Sequence, residues 1–219
     1  MSAPSAAVNP TSVPAACSSP PCSDAAAIAS SSSVDSSVVT DYADERLYAD
    51  APVDLSRITS DIFLSNFATS LRVDVLQAHG IRSIIFLHYI PKTEATLKKY
   101  DEAGIAHHYL FCYDSAKENI TKHIDKIIAL LEGKTTGASV SDAAAASVCP
   151  FPVLFHCQEG ISRSPALVMA WLMHSQRLSF ADAKSIVKSQ RKVVRVNEGF
   201  EKQLRKLEER IKDADKQLR

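Results

Sequence analysis

Hydrophobic and polar positions divide the chain into a polar beginning and a patterned remainder. Residues 1 to about 50 are rich in Ser, Ala and Pro, with almost no large apolar residue before Tyr42. That composition cannot bury enough surface to order itself, and predicts a disordered tail. From Asp54 on, short apolar runs alternate with helical periods. Arg57-Ile58 and Ile62-Phe63-Leu64 flank a polar turn and predict a hairpin. Residues 74–79 read as the end of a helix stopped by Gly80, 83–87 as a buried strand, 93–103 as a helix ended by Gly104, and 106–111 as the next strand. A helix over 120–131 and a buried strand at 153–155 follow. Residues 166–173 are apolar around the whole circumference, as a buried central helix is. Residues 179–191 predict a further helix with Ser179 as N-cap and Asp182 three residues on. Phe200, Leu204, Leu207, Ile211, Ala214 and Leu218 form one stripe on a last helix whose first half packs on the core.

Strands alternating with helices predict an α/β fold, a largely parallel mixed sheet with helices on both faces. Residues 134–152, with Asp142 followed by a run of alanines, exceed the roughly two to six residues usual between helix and strand. They read as a disordered, low-complexity insertion, entering the next strand at the end opposite the loop that leaves it.

Acids and bases balance at 25 each, which points to neither nucleic acid nor an anionic membrane surface as partner. No run is long enough to span a bilayer, and the beginning lacks the basic and apolar regions of a signal peptide. Ser2 does not permit myristoylation, and the terminal Lys216-Gln217-Leu218-Arg219 is no prenylation box. The expectation is a soluble protein of the cytoplasm or nucleus. Five scattered cysteines suit a reducing compartment rather than a disulfide framework. Cys17 and Cys22 lack downstream partners for a metal site, so no metal or cofactor is expected.

The candidate chemistry lies in His156-Cys157-Gln158-Glu159-Gly160-Ile161-Ser162-Arg163-Ser164-Pro165, between the strand at 153–155 and the helix over 166–173. Five residues curled between Cys157 and Arg163 would turn successive backbone N–H groups inward, an anion nest at a helix N-terminus. Such a pocket favours the Cys157 thiolate. Arg163 offers a planar fork for two phosphate oxygens, and Ser164 can donate its hydroxyl to the sulfur. Gly160 permits the tight curl. These residues suit in-line attack of sulfur on a phosphate ester, giving a phosphocysteine that water hydrolyses without a metal.

The string His-Cys-x-x-Gly-x-Ser-Arg-Ser resembles the active-site signature of the dual-specificity protein phosphatases, within the cysteine-phosphatase superfamily. The resemblance extends over about residues 54–210, more loosely through the opening hairpin with Asn66 after it. It also takes in Arg195-Val196-Asn197-Glu198-Gly199-Phe200, where Val196 stands for the family's proline. It implies a sheet of about five strands and a catalytic domain over 54–212, with 213–219 ending the last helix. Cys157, Arg163, Asp114 and Ser164 would be catalytic, and Gln158, Glu159, Gly160, Ile161, Ser162 and Arg163 would bind the phosphate. The chemistry needs an acid for the leaving group, and in this family an aspartate after the strand at 106–111 supplies it. Asp114 fits, ahead of Glu118 and Asp101, although it lies 43 residues before Cys157, a wide spacing that the insertion accounts for. Helix capping is the bland role for Asp114, and core packing that for Cys112, which could also trap an oxidised Cys157. A disulfide between Cys149 and Cys157 is not expected.

The resemblance implies an enzyme acting on phosphotyrosine and phosphoserine/phosphothreonine of phosphorylated proteins, and a monomer is expected. The alternatives are an RNA 5′-triphosphatase, which would need a basic surface, and a non-catalytic phosphoprotein-binding or scaffold protein. Gln158, Glu159 and Ile161 inside the loop argue against polyanionic lipid headgroups.

Overall fold

A computed structural model describes residue 48 and residues 50–133 and 149–217. The expected hairpin is present: β1 (Leu55–Arg57) runs antiparallel to β2 (Ile62–Ser65). Thr59 Oγ1 accepts the Asp61 and Ile62 N–H groups and closes the polar turn. The remaining strands are β3 (Ser83–His88), β4 (Ala106–Phe111) and β5 (Val153–His156). They complete a five-stranded sheet in the order β1-β2-β5-β3-β4, parallel except for β1. This is the α/β architecture that the sequence predicts, a largely parallel mixed sheet. The middle strand, β5, pairs on both edges, and all four of its residues are buried.

Strand alternation sends side chains to two cores. Phe63, Ile84, Phe86 and Leu154 face α1 (Phe67–Ser70), α2 (Val73–Ala78) and α3 (Glu94–Glu102). Leu64, Ile85, Leu87 and Phe155 face α4 (Thr121–Leu131), α5 (Arg163–Gln176), α6 (Phe180–Gln190) and α7 (Glu198–Gln217). The central helix is α5, buried from Arg163 to Ala170 and packed on α4, α6, α7 and β5. It starts before the apolar run because Pro165 sits in its first turn, where a missing N–H costs nothing. Ser179 caps α6 as expected, its Oγ accepting the Asp182 N–H at 3.1 Å. Along α7 the stripe buries Phe200, Leu204 and Leu207, with Ile211 packed beside them, and Val196 also packs into this core.

Helix α1 has no counterpart among the elements that the sequence predicts. It is one turn long, too short for a periodic pattern, and is capped by Asn66, whose Oδ1 accepts the Thr69 N–H at 2.9 Å. The expected tail lies outside the described residues except for 48 and 50, as does the insertion except for 149–152. Cys17, Cys22 and Leu218 also lie outside them. Among the described residues no helix is long and apolar enough to cross a membrane.

Candidate active site

Parallel strands bring the ends of β4 and β5 to one edge of the sheet, and the loop of residues 157–162 leaves β5 there. Its carbonyls from Gln158 to Ser162 are all bound outward. Gln158 O accepts the Phe67 N–H at 2.8 Å, Ile161 O the Arg195 N–H at 2.9 Å and Ser162 O the Ala166 N–H at 3.1 Å. The buried Arg191 guanidinium holds the other two, Nη2 donating to Glu159 O at 3.0 Å and Nε to Gly160 O at 2.9 Å. In a trans peptide the N–H points away from the preceding carbonyl. The N–H groups of residues 159–163 therefore point inward, the cradle that the spacing predicts.

Two contacts fix the curl. Gly160 has φ +66, and a Cβ there would lie 2.3 Å from the Ser65 carbonyl oxygen, so both its conformation and its surroundings require glycine. Arg191 is anchored in turn by Asp54, through Nη1–Oδ1 at 2.5 Å and Nη2–Oδ2 at 2.6 Å, a bidentate pair ahead of β1.

From the first turn of α5 Ser164 Oγ donates to Cys157 Sγ at 3.3 Å. Arg163 is buried and its Nη1 donates to Cys112 O at 3.2 Å. Its Nε makes no hydrogen bond among the described residues and lies 3.8 Å from Asp114 Oδ2, a buried cationic donor left for an anion. Behind Cys157, the His156 ring stacks on Phe86 with centroids 4.5 Å apart, and Nδ1 lies 3.2 Å from Cys157 O. Burial holds the imidazole well below its ordinary pKa, so it is neutral and its Nδ1 carries the proton.

Asp114 lies at this site and caps no helix. Its Oδ1 accepts Ser162 Oγ at 2.7 Å and Asn197 Nδ2 at 2.8 Å. A cavity of ≈ 390 Å³ is lined by Asp114, Cys157, Glu159, Ile161, Ser162, Arg163, Arg195 and Asn197. Gln158 and Gly160, expected among the phosphate-binding residues, are not among its lining residues. A second cavity, ≈ 620 Å³, shares Asp114 and Arg163 and has Tyr89 and Tyr113 in its wall. The arrangement can seat a tetrahedral dianion on Sγ, with a carboxyl group on the same cavity.

Residues 62–210 match the family model described as "Dual specificity phosphatase, catalytic domain". The chain belongs to that family. It is 25% identical over 154 residues to "Dual specificity protein phosphatase MPK-4" of Drosophila melanogaster, covering 70% of this chain and 36% of that one. It is 31% identical over 164 residues to "MAP kinase phosphatase with leucine-rich repeats protein 3" of Dictyostelium discoideum, covering 71% and 16%. The chain thus spans about a third or less of these two relatives. The crystal structure of human DUSP28 aligns with a TM-score of 0.57 at 27% identity, over 74% of this chain and 97% of that one.

Several residues of this dual-specificity phosphatase site are not evident from the sequence. Arg191, Arg195 and Asn197 come from the segment after the signature, and their partners are distant in sequence. Arg195 and Asn197 stand in the stretch that carries the resemblance, which was the available signal. The alternative acids are placed elsewhere: Glu118 lines the second cavity but pairs with Lys122 at 2.7 Å, and Asp101 bonds His107 on α3's side of the sheet. Cys112 is buried, and burial with nearby Glu118 pushes its thiol up to about 12, so it packs as a protonated thiol. With Glu118 and His123 it brings three potential metal-ligand atoms within 4.8 Å. Glu118 is taken by Lys122, and His123 Nε2 lies 3.0 Å from Phe111 O. Cys149 is likewise a buried free thiol, pushed up to about 11 by burial.

Proposed function

We propose that this chain hydrolyses phosphate monoesters of tyrosine and of serine and threonine in phosphorylated proteins, through a phosphocysteine. The observation that carries the reading is the loop whose five carbonyls are bound outward while its N–H groups and Arg163 surround Cys157. Cys157 attacks phosphorus, the N–H groups and Arg163 hold the equatorial oxygens, and Asp114 protonates the leaving oxygen. Water then attacks the phosphocysteine with Asp114 as base, and Ser164 Oγ donates to the departing sulfur. Family membership and the relatives' names support protein substrates on both residue types. Balanced charge and Glu159 in the cavity lining speak against the 5′-triphosphate end of an RNA. The meeting of Cys157, Arg163 and Asp114 speaks against a purely binding role. A monomer of the cytoplasm or nucleus, acting without nucleic acid or membrane, completes the reading.

The test is release of phosphate, in a chelator, from a phosphotyrosine and a phosphothreonine peptide. The wild type turns over both, Cys157→Ser turns over neither, and Asp114→Asn loses about 10²-fold or more. Residual turnover by Cys157→Ser would overturn the reading.

A further inference from the structure

We infer that Asn197 is a positioning residue for proton transfer, a role that rests on Asp114 being the acid proposed above. Asn197 Nδ2 and Ser162 Oγ both donate to Asp114 Oδ1, at 2.8 and 2.7 Å. The serine hydroxyl is itself oriented, because its oxygen accepts the Asn197 backbone N–H at 3.2 Å and its proton is left for the carboxylate. The asparagine amide cannot be turned over without loss, since its Oδ1 accepts the Phe200 N–H at 3.0 Å as the cap of α7. Nitrogen must therefore face Asp114. With Oδ1 holding two donors, the transferable proton is confined to Oδ2, the oxygen on the Arg163 side.

The support behind this contact is stiff. The first turns of α7 hold the segment that carries Asp114. Gly199 meets it so closely that a Cβ would lie 2.0 Å from Ala116 O. Gln203 Oε1 accepts the Ile120 N–H at 2.8 Å, and its Nε2 donates to Glu118 O at 2.8 Å. A loop carboxyl would otherwise rotate about its own torsions, whereas proton transfer needs it held within hydrogen-bond reach of the leaving oxygen.

As the Cys157 sulfur bonds to phosphorus and the ester P–O bond breaks, the Oδ2 proton passes to the leaving oxygen. Asp114 is then a carboxylate whose Oδ1 already holds its two donors. As water oxygen bonds to phosphorus and the S–P bond breaks, the water proton returns to Oδ2.

The experiment compares kcat/KM, which covers the steps up to loss of the leaving group, for phenyl phosphate, whose leaving oxygen needs a proton, and for a nitrophenyl phosphate, which needs it less. In Asn197→Ala the first falls roughly tenfold or more, part of the 10²–10⁴ that an acid contributes. The second changes little, because a nitrophenolate leaves without needing the proton. Asn197→Ser keeps an acceptor that can cap α7 but is too short to donate to Asp114, so it shows the same selective loss. It also carries the comparison should the alanine variant fail to fold. In an Asp114→Asn background Asn197→Ala causes no further loss. Wild-type rates in Asn197→Ser, or an equal loss by Asn197→Ala in both backgrounds, would reduce Asn197 to a helix cap and overturn the inference. If Asp114→Asn alone leaves phenyl phosphate turnover intact, the acid assignment has failed, and that variant shows it before Asn197 is changed. Failure of the cysteine mechanism is read separately from Cys157→Ser.

Discussion

Gly160 and the buried histidines show how single residues set the working conditions of the site. At Gly160, a left-handed backbone costs about 1–2 kcal/mol for any other residue, and a methyl group there would clash with the Ser65 carbonyl oxygen at 2.3 Å. Gly160→Ala is expected to lower unfolding free energy by about 2 kcal/mol or more in urea titration. Turnover should fall further than the loss of folded protein explains, because the cradle is displaced. Burial, assisted by Arg163, holds His88 down to about 4, and burial holds His156 lower than ordinary as well. Both are neutral in the fold, whereas in the unfolded chain they take up protons as pH falls through 6.5. Their contribution is therefore complete above that value and is lost as pH falls toward 4, with His88 accounting for at most about 3 kcal/mol. Unfolding free energy should drop between pH 7 and 5, and His88→Asn should flatten that slope. A slope unchanged by this substitution would exclude His88 as its source. That Cys157, Arg163 and Ser164 meet was legible because they stand in one short string, and the place of Asp114 beside them was legible from the family resemblance, which looks for an aspartate after the strand at 106–111. Asn197 and Arg191 were not, since they act through partners 83 and 31 residues away that only the fold brings near.

Helix α6 and the segment before β1 cooperate through Arg191, which ties the cradle to the scaffold. Replacing it by methionine strands the Glu159 and Gly160 carbonyls and leaves Asp54 without its partner. Asp54 is partly exposed, so most of the cost lies in the two carbonyls. Arg191→Met is expected to lose about 2–4 kcal/mol by chemical denaturation, and Asp54→Asn about 1 kcal/mol or less. Equal losses in the two variants would place the energy in the ion pair instead. The strands and longer helices were legible at this scale from period and punctuation: Gly80 and Gly104 end helical segments, and Ser179 begins one. Helix α1 was not, because one turn carries no period and its signal is the single cap Asn66.

Across the described residues, the sheet places the loop after Cys157 and the chain that enters β5 at opposite ends. The loop at 157–162 leaves the C-terminal end of β5, whereas residues 149–152 enter the opposite end. There Pro150 O accepts Ser83 Oγ at 2.6 Å, and Pro152 O accepts the Arg82 N–H at 2.9 Å. Replacing residues 134–148 by a short Gly-Ser linker should therefore leave kcat/KM for a small aryl phosphate within about twofold. A larger loss would tie that segment to the site. The parallel, doubly covered sheet was legible from the alternation of apolar runs with helical periods. The placement of α7 against the acid segment was not, because its stripe of Phe200, Leu204 and Leu207 reports burial without naming the neighbour.

The most direct measurement is rapid mixing of metal-free protein with a small aryl phosphate, followed by a denaturing quench and mass mapping of bound phosphate. The mechanism predicts an initial release of phenol stoichiometric with protein, phosphate on Cys157, and neither in Cys157→Ser. Turnover that survives that substitution, or that proceeds with phosphate on another residue, would contradict it.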